Sequence, residues 1–180
     1  MQYFGALILL ASGLLAAADI ASELGPQLSP NARLVFPSST EWANLTARWD
    51  PYSTPDLVAD VEAATASDVQ ETVKYAATHG IKLVVRNTAH GFTQTFRSVV
   101  DGIQLSVRGM NCISLDLERN VATLGGGVIV AEFIEALYNA GKRSATGNCD
   151  CVGLMGAGLG GGHGRHQVRK YYLADGIRAD

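Results

Sequence analysis

Gly147-Asn148-Cys149-Asp150-Cys151-Val152-Gly153-Leu154-Met155-Gly156-Ala157-Gly158-Leu159-Gly160-Gly161-Gly162-His163-Gly164 is the stretch on which the reading of this chain turns. Glycine gives up more backbone freedom on ordering than any other residue. A run this dense in it predicts a loop rather than a helix or a packed strand. Lacking side chains, such a loop can bring its backbone N–H groups against a bulky anionic ligand. Two cysteines, Cys149 and Cys151, stand at its entrance.

Regular structure lies upstream of the loop. Residues 129–140 read as a helix with Phe133, Ile134 and Leu137 on one face, ended by Gly141. Three short strands are expected at 102–107, 112–117 and 121–124, the last running into Gly125-Gly126-Gly127. Earlier still, 57–62 reads as a strand. Ser67 is placed to cap a helix, with Gln70 completing a capping box and Val69, Val73, Ala76 and Ala77 at helical spacing. Gly80 is positioned as a left-handed cap, and 81–86 is a buried strand around Leu83, Val84 and Val85. Residues 57–86 therefore form a β-α-β unit with a parallel return, and the whole is a mixed α+β domain.

The N-terminal part has a different character. Phe4 to Leu15 is mostly apolar and is followed by Ala16-Ala17-Ala18, a small-residue cleavage pattern before Asp19. The run is shorter than the roughly 20 residues a membrane span needs. A signal peptide over 1–18 and a secreted product are expected. Asn44-Leu45-Thr46 is an N-glycosylation sequon, in keeping with that route. All five prolines fall between Pro26 and Pro55, so 19–51 reads as an extended lead-in to a domain at 52–180. The net charge is −3 with no basic block, so nucleic acid is not an expected partner.

Residues able to carry chemistry cluster in two places. Arg86-Asn87-Thr88-Ala89-His90-Gly91 is a polar, small-residue turn after a buried strand, a common place for a phosphate or cofactor. His90 suits a general base, a metal ligand or an attachment point for a bound group; an exposed loop histidine is the plain alternative. No metal site is expected, because no cluster of ligands at metal spacing surrounds it. Cys149 and Cys151 are too close in sequence for an unstrained disulfide. His163 and His166 match no defensible ligand spacing with them. A thiol in such a loop can serve as a nucleophile, and two semi-apolar loop residues are the alternative. Cys112 is expected in the core. Gly156 to Gly161 spells G-x-G-x-x-G, but a buried strand should precede that motif and another should carry Asp175, and neither is present.

Together these pieces resemble the FAD-linked oxidases of the vanillyl-alcohol-oxidase type, in their berberine bridge enzyme-like branch. Arg86 to His90 resembles the R-x-x-G-H turn, and Gly125 to Gly127 a following G-x-G. Gly147, Cys149, Val152, Gly153, Gly156, Gly160, Gly161, Gly162 and Gly164 match the signature G-x-C-x-x-V-G-x-x-G-x-x-x-G-G-G-x-G. The resemblance covers about residues 52–175. It implies a PCMH-type FAD-binding domain, truncated and lacking the substrate domain. It implies FAD as cofactor, its pyrophosphate held by the turn through backbone N–H groups. It further implies a flavin 8α bond to His90 and a second bond from Cys149 to ring carbon C6. The reaction implied is hydride transfer from a small organic substrate to flavin N5, with O₂ as reoxidant. A place in specialised-metabolite biosynthesis is a fold-level analogy. No residue of the chain is assigned as catalytic.

Two departures from the pattern stand out. Ala89 occupies the position of the turn's glycine; if that position takes a positive φ, alanine costs about 1 kcal/mol. The chain also stops at Asp180, before the family's substrate domain. The alternative reading is an inactive secreted fragment, or a half-domain that binds flavin weakly and depends on a second chain for the rest.

Overall fold

The computed structural model describes residues 17–160, which divide into two compact units. The first comprises the chain through Arg86 together with Phe92–Ser106; the second comprises Asn87–Gly91 and the chain from Val107. Residues 1–16, which hold most of the signal peptide expected over 1–18, and the positions Gly161, Gly162, His163, Gly164, His166 and Asp175 lie outside the described residues.

The first unit is a four-stranded sheet in the order β1-β2-β4-β3, built from β1 (Arg33–Val35), β2 (Leu57–Glu62), β3 (Leu83–Arg86) and β4 (Gly102–Ser106). The expected β-α-β unit is present, but its two strands are not neighbours. β4 enters between them and pairs in parallel with both. All five β4 residues are buried, as a central strand covered on both faces requires. Register sets the faces. Ala59 and Leu83 flank Ile103, and Val61 and Val85 flank Leu105, giving an apolar face. The other face carries Asp60 beside Gln104, and Arg86 beside Ser106. β2 reads as an apolar strand, and the carboxylate in its middle is fully buried.

The N-cap of helix α3 (Ala66–His79) lies two residues before the expected one. Thr65 is the N-cap and Asp68 the reciprocal partner. Asp68 also accepts bonds from Ser29 N (2.6 Å), Ser29 Oγ (2.9 Å) and Ala64 N (3.0 Å). These bonds select Thr65 over Ser67, because a carboxylate that satisfies several donors at once outweighs an isolated box. The buried stripe is Asp68, Thr72 and Ala76, whereas Val73 is exposed. Gly80 closes the helix with φ +65°, as expected of a left-handed cap.

The lead-in carries its own elements: α1 (residues 17–23), β1 and α2 (Trp42–Thr46). Ile20 and Leu24 are fully buried. β1 pairs antiparallel with β2, so residues 33–35 are an edge of the sheet. Asn44 lies on α2 with its side chain exposed.

The second unit contains the two-stranded antiparallel sheet β5 (Ile113–Asp116) and β6 (Val121–Leu124), with α4 (Val130–Asn139) and α5 (Leu154–Leu159). Its core is Val128, Val130, Phe133, Leu137 and Leu154, with Ile113, Leu115, Ala122, Leu124 and Met155 against it. Phe133 and Leu137 point inward as expected, but Ile134 is exposed. Cys112 is not in the core; it precedes β5 and its thiol is exposed. The largest correction is α5. The glycine-rich stretch is helical from Leu154 to Leu159, through Gly156 and Gly158. Leu154 is 2% exposed within the core, and that burial outweighs the poor helix propensity of two glycines, about 2 kcal/mol in all.

Candidate functional site

In the second unit, the turn after β3 is stitched to two segments far along the chain. Asn87 Nδ2 donates to the carbonyls of Gly126 and Val128, both at 3.1 Å. Thr88 Oγ1 accepts from Gly153 N at 3.0 Å. His90 Nε2 lies 3.7 Å from Cys151 Sγ. The cysteine loop is held independently. Val152 O accepts from Val130 N (3.1 Å) and Asp150 O from Ala131 N (2.9 Å), so the loop satisfies the first amides of α4. Leu154 N donates to Val128 O (2.9 Å), and Ile129 bridges to Gly153.

Ala89 has φ +58° and is nearly buried. The position where the R-x-x-G-H pattern has glycine thus requires a left-handed residue, and this chain places an alanine there at a cost of about 1 kcal/mol or more. A left-handed residue inside a turn is the geometry by which short loops gather amides toward an anion.

The glycines divide by what surrounds them. A Cβ at Gly125 would lie 2.0 Å from Met110 O, and one at Gly127 would lie 2.2 Å from Val107 O. A Cβ at Gly153 would meet Asn87 Nδ2 at 2.7 Å. These three are glycine so that backbone and turn can approach each other. Gly156 differs, because among the described residues nothing lies within 4 Å of the Cβ it lacks. Gly160 ends α5 and is exposed.

Sequence reasoning missed the support beneath Gly127. Arg108 donates to Gly127 O (3.1 Å) and pairs with Glu132, whose Oε2 also accepts from Ile129 N (3.0 Å) at the start of α4. Burial acts to raise the Glu132 carboxyl, but bonds from Ile129, Arg108 and Asn111 outweigh it and hold it below its ordinary value. The glutamate three residues past Ile129 is a readable capping signal; its partner 24 residues upstream is not.

The site residues named from sequence fall as follows. Asn87, Thr88, His90 and Gly153 are brought together, with Ala89 inside the turn and Gly91 after it. Arg86 is the last residue of β3 in the first unit, with its Nε buried and no partner for that atom among the described residues. Cys149 and Cys151 are both exposed free thiols, and the one beside His90 is Cys151. Among the described residues, no group of three or more metal-binding side chains occurs.

The family model described as an FAD binding domain matches residues 58–179. The chain belongs to that family. The FAD-linked oxidoreductase azaL of Aspergillus niger is 35% identical over 88% of this chain and 34% of its own length. The FAD-linked oxidoreductase iacH of Pestalotiopsis fici is 37% identical over 91% of this chain and 32% of its own. Among solved structures, the wild-type BBE-like 1 protein of Physcomitrella patens superposes with a TM-score of 0.75 at 27% identity, over 84% of this chain and 33% of that one. The fold is therefore that of the PCMH-type, berberine bridge enzyme-like flavin oxidases. This FAD binding domain chain spans about a third of the length of these relatives. The residues present fit the cofactor: an imidazole beside an exposed thiol, a left-handed turn, and a position at Gly156 that the described residues leave open.

Proposed function

We propose that the chain is the FAD-holding portion of an oxidase-type oxidoreductase acting on a small organic substrate with O₂. The observation that carries this is the constellation in which the 87–91 turn meets the cysteine loop, in a chain of the FAD binding domain family. Bound FAD supplies hydride acceptance at N5 and reoxidation by O₂. The chain's own part is to hold it. The turn offers backbone amides to the pyrophosphate. His90 is the attachment point for the 8α carbon and Cys149 for C6, with Val152, Gly153, Gly156, Gly160, Gly161, Gly162 and Gly164 as further cofactor-binding positions. The fungal FAD-linked oxidoreductases support a role in specialised-metabolite biosynthesis. The apolar N-terminus and exposed Asn44 support secretion, with removal of residues 1–18 and a sugar on Asn44.

Acid precipitation tests attachment. Flavin should stay with the protein, and His90→Ala and Cys149→Ala should each reduce what is retained. Retention sensitive to Cys151→Ala but not to Cys149→Ala would transfer the C6 role to Cys151. Gly156→Ala tests the cradle. The chain's packing tolerates the methyl and the helix gains about 1 kcal/mol, so flavin lost without loss of stability marks a close approach there. A second reading is a partner-dependent half-domain, or an inactive fragment, that binds flavin weakly. Purified chain that shows no flavin absorbance after reconstitution decides for it.

A further inference from the structure

Exposure does not distinguish the three cysteines, since Cys112, Cys149 and Cys151 are all free and exposed. Their surroundings do. Cys151 Sγ lies 3.7 Å from His90 Nε2, within reach of a hydrogen bond to sulfur. Two residues away on both strands of this contact, Gly153 N donates to Thr88 Oγ1 at 3.0 Å. The two segments thus run side by side, with Thr88 opposite Gly153 and His90 opposite Cys151. The backbone on each side of Cys151 is pinned as well, through Asp150 O to Ala131 N and Val152 O to Val130 N. A thiol and an imidazole held in register by anchors on both flanks are a nucleophile and its base.

We propose that Cys151 is a site of S-thiolation by low-molecular-weight disulfides, with His90 as general base. In the step, His90 Nε2 takes the proton of the Cys151 thiol as its sulfur attacks one sulfur of R–S–S–R. The new bond is Cys151 S–S–R, the bond broken is the S–S of the reagent, and the imidazolium returns its proton to the leaving R–S⁻ to give R–SH. Cys151 is oxidised and the departing sulfur is reduced. Cys149, two residues away, is exposed too, and the thiol that the His90 imidazole approaches is that of Cys151. The proposal does not rest on the flavin reading, because the pair is formed by the chain alone.

The test is thiolation of the full 180-residue chain with oxidised glutathione, followed by peptide mapping that reads adducts and flavin mass together. Cys151 should react about tenfold or more faster than Cys112 and Cys149 in the same molecules, and His90→Gln should bring the three to parity. Equal labelling of the three thiols in flavin-free chain overturns the proposal without recourse to any variant. A preference for Cys151 that survives His90→Gln overturns it equally. Failure of flavin binding leaves these outcomes unchanged, so the two readings fail separately.

Discussion

Ala89 and Asp68 show how much a single side chain can carry. Ala89 holds φ +58° without the glycine that would do so at no steric cost. Ala89→Gly should therefore raise stability by up to about 1 kcal/mol, the relief of strain being partly offset by the freer unfolded chain. Ala89→Val should lower it, because a β-branched residue is least tolerant of a left-handed backbone. Urea midpoints of the two variants check both signs. Asp68 is fully buried. Burial acts to raise its carboxyl, but bonds from Ser29 and Thr65 outweigh it and bring it from 3.8 down to about 2. Its folded value is depressed, so its contribution of about 2 kcal/mol is present above the ordinary carboxylate value and is lost as pH falls toward 2. Asp68→Asn should cost about that much at pH 7, and the gap to wild type should shrink to about a third of that at pH 2.5. A gap that stays constant across that range would show that the charge is not what Asp68 contributes.

Among elements, β2 and the Gly125–Gly127 corner depend on neighbours that only the fold supplies. Asp60 Oδ1 accepts from Gln104 Nε2 (3.0 Å) and Ser106 Oγ (2.8 Å), while its Oδ2 and Gln104 Oε1 are buried acceptors without a donor among the described residues. Burial pushes the Asp60 carboxyl above its ordinary value, against the two hydrogen bonds. The folded state thus holds this proton longer than the unfolded chain, and the residue weakens the fold as pH rises through and above the carboxylate range. Asp60→Asn should stabilise the chain at pH 7 by about 1 kcal/mol, since an amide can donate where Oδ2 cannot. The gain should vanish toward pH 3, which thermal melts at the two pH values will show. At the corner, Gly127→Ala would set a methyl against the carbonyls of Val107 and Arg108, at 2.2 and 2.6 Å. Backbone cannot step aside as a side chain can. A cost of about 2 to 3 kcal/mol is expected in chemical denaturation.

For the molecule as a whole, the site is an assembly of segments distant in sequence. Asn87 joins the turn to Gly126 and Val128 with one amide group. Asn87→Ala should leave the Gly126 carbonyl without this donor and cost about 2 kcal/mol. Hydrogen exchange should locate the loss at the Gly153 and Leu154 amides, which bond to the same turn and to Val128. Unchanged protection there would mean that the stitching is held by the loop alone.

Local chemistry was legible wherever a residue's role is decided by its near neighbours. The short apolar run in 57–62, the glycine caps at Gly80 and Gly141, and the apolar spacing of Phe133 and Leu137 all specify their elements within a few residues. The same locality carried the family motifs, because the turn and the loop each occupy one short stretch. Other features were decided only when the chain was folded. β4 separates β2 from β3, because strand order depends on which apolar edges meet and not on any one strand's pattern. Thr65 prevails over Ser67 as a cap because Ser29 arrives from 39 residues away. The glycine-rich stretch becomes a helix at Leu154 to Leu159 because Leu154 is buried in the core of the second unit. His90 meets Cys151 across 61 residues for the same kind of reason: the hydrogen bonds and burial that set their positions belong to other residues.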